Sequence, residues 1–136
     1  MEEKFNESTS QRPGGKRPLD ALMVTIDLPA YMEQLKQEMP WKNGDRNAIT
    51  VFKTNDMRIV LVALHEGAEI IKHTAEGIIS VQVLEGQMWF RTDRQSVELG
   101  KGQMIALHER IPHSVRAIKE TIFLLTLNTG PVRENA

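Results

Sequence analysis

From residue 48 to residue 127 the chain is cut into short apolar runs, and the cuts fall at turn-forming groups. The runs are 48–53, 57–64, 69–73, 78–84, 88–91, 95–99, 103–107, 113–117 and 122–127. Between them stand Thr54-Asn55-Asp56, Glu66-Gly67, Glu85-Gly86, Thr92-Asp93, Gly100-Lys101-Gly102 and Lys119-Glu120. The run Ile79-Ser80-Val81-Gln82-Val83 alternates apolar and polar residues, which puts its branched side chains on one face of an extended strand. Many short strands at regular spacing, separated by turn signals, specify an antiparallel sandwich or barrel. There is no internal repeat.

Two runs break the alternation. Ile59 to Leu64 (IVLVAL) and Ile122 to Leu125 (IFLL) are apolar on both faces, whereas an antiparallel strand of a small protein usually shows one face to water. Their outer faces need cover. One helix is available ahead of the strands, over 28–39: Asp27 can cap it, Pro29 falls in its first turn, and Leu28, Met32, Leu35 and Met39 recur at helical spacing until Pro40. A single helix is small cover for two strands, so a homodimer is expected. Alternation also turns His65 outward, as a surface or interface residue, because Leu64 packs inward.

The N-terminal stretch 1–18 holds one bulky apolar residue, Phe5, and reads as a flexible tail. Residues 19–47 form the helix and connector, and 48–130 the barrel. The chain of 136 residues suits one domain, and its formal charge of −1 leaves no basic footprint for nucleic acid or an anionic membrane. The absence of cysteine excludes disulfides, thiolate metal sites and cysteine nucleophiles. No apolar run approaches the ~20 residues that span a bilayer, and no signal peptide is visible, so a cytoplasmic location is expected. There is no nucleophile elbow, phosphate-binding glycine loop or HExxH run.

The spacing of a few residues is more specific. Gly67, His73 and Gly86, followed by Gly102 and His113, stand in the register of the two signature segments of the cupin superfamily. The chain resembles the small single-domain, type-2, RmlC-like members of that family over about residues 48–127. The resemblance implies an all-β jelly-roll barrel of two antiparallel sheets, commonly paired into dimers, with a pocket inside. It also implies a divalent metal (iron, manganese, zinc, nickel or copper) held by three histidines and a glutamate. Only His73 and His113 carry over. Ala75 stands at the second histidine position and Ile79 at the glutamate; His108, Arg110 and Ala117 replace the proline, glycine and asparagine of the second segment.

Two imidazoles fall short of the three protein ligands that a catalytic metal site usually has. No cofactor is therefore expected, and the protein reads as a small-molecule binder with a degenerate metal site. The alternative is a metal-dependent dioxygenase or isomerase in which His108, Glu76 or water completes the ligand set. With His73 and His113 inward, alternation turns Ile71, Ala75, Ile79, Val81, Val83 and Val115 inward too, and Met88 and Phe90 join them. The expected pocket is apolar with two imidazoles at one end, suited to holding a carboxylate or to acid–base work. Trp89 is expected to face outward.

Overall fold

The computed structural model describes Lys4–Asn6, Arg12 and residues 17–130. The rest of the tail expected at 1–18 lies outside the described residues. Strand β1 (Lys4–Asn6) pairs with β2 (Arg17–Asp20) as a small antiparallel ribbon. Two helices follow, α1 (Leu28–Gln37) and α2 (Met39–Asn43). Nine strands then build the barrel: β3 (Arg46–Lys53), β4 (Met57–Leu64), β5 (Glu69–His73), β6 (Ile78–Glu85), β7 (Gln87–Thr92), β8 (Ser96–Gly100), β9 (Met104–Leu107), β10 (His113–Ala117) and β11 (Thr121–Asn128). One sheet runs β5-β10-β7-β8 and the other β3-β4-β11-β6-β9. The architecture is a jelly roll, with both sheets antiparallel throughout.

The inner faces of the two sheets enclose one apolar cluster, built from alternate residues of several strands: Val62 and Leu64, Ile79, Val81 and Val83, Met88 and Phe90, Val115 and Ala117, and Phe123. A second cluster lies outside the larger sheet. There Leu35 of α1 and Trp41 of α2 pack against Ile49, Val51, Leu61, Ala63 and Ile122. The doubly apolar strands β4 and β11 thus receive cover from within the chain. The cover is larger than one helix because the helical segment is broken in two. Glu38 is extended, with φ −86° and ψ 154°. Pro40 lacks an N–H and cannot continue α1, but it fits the first turn of a new helix, where no N–H is needed. The break swings Trp41 onto the sheet and leaves Met39, expected in the apolar stripe, 60% exposed. The cap is as expected, with the Ala30 N–H donating to Asp27 Oδ1 at 3.1 Å.

Glu38 ties this layer together. Its carboxylate accepts from Arg12 at 3.0 Å and from the amide of the buried Asn47 at 2.9 Å, and Asn47 also donates to the Leu35 carbonyl at 3.0 Å. Burial acts to raise the Glu38 pKa, but the bonds from Arg12, Gln34 and Asn47 outweigh it and hold the group ionised. His65 does face outward, yet it is not a bare surface residue. It stacks on Trp41 with ring centroids 3.4 Å apart, and its Nε2 bonds the Trp41 carbonyl at 2.8 Å. No helix among the described residues is long and apolar enough to cross a membrane.

Candidate functional site

His73 is the last residue of β5 and His113 the first of β10, and the two are paired in register across the smaller sheet. Forty positions apart in sequence, they become neighbours, with ring centroids 4.3 Å apart and planes inclined at 58°. Each ring is pinned by the carbonyl two residues before it. His73 Nδ1 lies 2.8 Å from the Ile71 oxygen, and His113 Nδ1 lies 2.9 Å from the Ile111 oxygen. A carbonyl only accepts, so Nδ1 carries the proton in both rings and each neutral imidazole presents an Nε2 lone pair. Neither Nε2 bonds any described residue. His113 is 4% exposed. Its Nε2 is nonetheless absent from the buried unsatisfied atoms, so the little surface His113 keeps includes that nitrogen.

Behind His113 the Phe90 ring lies nearly parallel, 5.4 Å away and at 14°. Phe90 also borders a cavity of about 210 Å³ lined by Thr92, Gln95, Val97, Ile105, Ala106 and Leu107. Thr92 is the cross-strand neighbour of His113. The cavity therefore lies beside His113 through Phe90 and Thr92, between β8 and β9, which are edge strands of the two sheets; neither histidine is among its lining residues.

The other residues expected around the pocket fall into two groups. Ile79, Val81, Val83, Met88 and Val115 point inward and are buried in the central cluster, and Ala75 packs against it half-buried. Ile71 is different: it is 76% exposed and points out of the barrel. The cause is a β-bulge. His113 pairs with His73 but Val115 pairs with Ile70, so Ile71 and Lys72 together oppose the single residue Ser114. The extra residue shifts the phase of the strand, and Ile70 takes the inward place assigned to Ile71. The residues of β8 and β9 that border the cavity were not anticipated. The alternation of Ile105, Ala106 and Leu107 marks two of them as inward, but nothing local signals a cavity there.

The metal-site helpers are not brought in. The His108 side chain is 82% exposed, with Nδ1 3.7 Å from Glu109, and Glu76 is exposed. Among the described residues no three His, Asp or Glu are grouped to hold a metal. Ile79, at the position of the family's carboxylate, is 3% exposed and belongs to the apolar core. This donor set does not fit a resident divalent metal.

Compared with solved structures, the chain is 25% identical to a conserved protein of unknown function, SPY1581, from Streptococcus pyogenes, covering 64% of this chain and 76% of that one with a TM-score of 0.60. It is 25% identical to an RmlC-like cupin protein from Desulfovibrio desulfuricans (62% and 83% covered, TM-score 0.58). A cupin-2 domain containing protein from Shewanella frigidimarina NCIMB 400 gives 17% identity, 76% and 94% covered, and a TM-score of 0.62. The barrel has the cupin fold. No family model matches the sequence, and no curated protein does. The cupin register of His73 and His113 is retained here without the rest of the ligand set.

Burial holds the His113 imidazole below its ordinary pKa; the Ile111 carbonyl opposes this, and the neighbouring His73 adds to the lowering. The unfolded chain then takes up this proton at higher pH than the native one. Native stability is accordingly full above the ordinary imidazole value of about 6.5 and is lost as pH falls below it, through the lowered native value. Melting temperatures of the wild type should fall more steeply from about pH 7.5 to about pH 5 than those of His113→Gln. Parallel curves would mean that His113 is not held neutral by the fold.

Proposed function

We propose that this cupin binds a small organic molecule at the barrel mouth, without a resident metal. The observation that carries the reading is the nearness of two features: a pair of fixed imidazoles whose Nε2 atoms bond no described residue, and a largely apolar cavity of about 210 Å³ bordered by Phe90, the ring stacked on His113. Binding sites of this kind combine an apolar body with a few convergent polar groups. The space is sufficient, since an apolar cavity of ~150 Å³ accommodates benzene.

Benzene itself is a suitable first probe. In the presence of EDTA it should shift the methyl NMR signals of Val97, Ile105 and Leu107 saturably. Ala106→Trp, which adds a ring at the exposed rim of the cavity, should abolish the shift. The reading fails if the methyls do not respond, if they respond only with a divalent metal present, or if protein purified without chelator carries one metal ion per chain.

A further inference from the structure

We infer that the ligand meets the histidine pair as a hydrogen-bond donor: the pocket takes an uncharged hydroxyl compound with a compact apolar body, a phenol or a small alcohol, rather than a carboxylate. This rests on the pocket reading above and goes further in naming the chemistry of the ligand's polar end.

The inference starts from the two carbonyls. The Ile71 and Ile111 oxygens each take the Nδ1 proton of a ring, at 2.8 and 2.9 Å. What remains on each ring is an Nε2 lone pair, and the ring centroids are 4.3 Å apart. A carboxylate is an acceptor only. Set against these two acceptors it has no hydrogen to share with either ring. At His113 a cation would form in a setting that is 4% exposed and walled by Phe90, and burial opposes the charged state there. A hydroxyl needs none of this. It donates its hydrogen to an Nε2 and brings no charge against the Phe90, Val97, Ile105 and Leu107 walls, where a carboxylate left unpaired is penalised.

The apolar side fits the same class. Phe90, Val97, Ile105 and Leu107 supply the walls. Phe90 lies nearly parallel to His113 and stacks behind it, so an aromatic wall of the cavity backs the imidazole. The volume of about 210 Å³ exceeds the ~150 Å³ that takes benzene by room for a few more atoms. That sets the ligand at one six-membered ring or its aliphatic equivalent.

The test compares phenol, benzoate and benzene on the wild-type chain with EDTA at about pH 8, above the ordinary imidazole range. Methyl shifts of Val97, Ile105 and Leu107 give the affinities, and ¹⁵N shifts of the imidazoles show whether Nε2 accepts a hydrogen bond. Phenol should bind saturably, at least about tenfold tighter than benzoate, and should move the Nε2 signals of His73 and His113; tenfold is the order expected of one hydrogen bond gained against an unpaired acceptor. Benzoate binding as tightly as phenol overturns the donor inference while leaving the pocket reading intact. Phenol that moves the methyls but neither Nε2 overturns it as well. Silence of the methyls toward all three probes removes the pocket reading itself.

Discussion

Gly86→Ala should leave no folded barrel. Gly86 turns β6 into β7 with φ +91°, a conformation that L side chains rarely adopt. The larger problem is space. A Cβ there would sit 2.2 Å from the Glu120 carbonyl oxygen, 2.6 Å from Thr121 Oγ1 and 2.7 Å from Thr121 Cα. Two of these three atoms are backbone and cannot rotate away. Thr121 is itself fixed: its hydroxyl bonds the backbone of Gln87 on one side and the Lys119 carbonyl on the other. Moving it would displace the start of β11, the central strand of the larger sheet. Gly102 is the control. It has φ +85°, but nothing lies within 4 Å of where its Cβ would be. Gly102→Ala should therefore cost only the left-handed strain, about 1–2 kcal/mol. The loss at Gly86 should approach the whole stability of such a domain, about 5–15 kcal/mol. Urea unfolding of both variants separates the two cases. Equal midpoints would show that close approach at Gly86 contributes nothing beyond φ.

That glycine was visible in the sequence as a punctuation mark, and so was nearly every strand. Alternation and turn residues are local signals, and the strand ends they mark differ from the observed ones by a residue or two, as with β3 starting at Arg46 rather than Ala48. What was not legible is non-local. The bulge in β5 depends on how Ser114 of a distant strand meets Ile71 and Lys72, so counting back in twos from His73 lands on the wrong isoleucine. The cover of β4 and β11 depends on a break at Glu38 that sends Trp41 across the sheet. An apolar stripe shows that a helix packs, not how much surface its sequel can reach. The pairing of His73 with His113 was legible through the cupin spacing. The cavity near it was not, because it is lined from edge strands of two different sheets, and no residue type is reserved for such a place. Gly77 is a similar case. Its added Cβ would fall 1.7 Å from the Asn128 carbonyl oxygen, a close approach that no local pattern announces.

Ile79→Glu should give a barrel that needs a metal to hold together. Ile79 is 3% exposed and lies between Leu127 of β11 and Leu107 of β9 in the ladder of the larger sheet. A carboxyl group placed there loses its water. No described cation lies among its strand neighbours, so the variant should lose about 3–5 kcal/mol at neutral pH, as when a buried charge is left without its partner. The sign of its pH dependence follows. Burial raises the introduced group's pKa, so the variant should be least impaired in acid. It should weaken as pH rises from the ordinary glutamate value of about 4.3 through the raised native one. Added zinc changes the balance, because a carboxylate with His73 and His113 would make the three protein ligands of an open site. Binding at a hundredfold excess over Kd would return about 2.7 kcal/mol. The expected result is a melting temperature of Ile79→Glu that rises strongly with zinc, while the wild type does not respond. A wild type stabilised by zinc as much as the variant would mean that the two imidazoles already suffice, and that Ile79 is not what keeps the metal out. A variant that zinc cannot rescue would mean that the surviving pair no longer has the arrangement of a metal site. On the first outcome one branched side chain separates the two chemistries of this fold: it completes an apolar core in place of a carboxylate, and it leaves His73 and His113 free to bind something other than an ion.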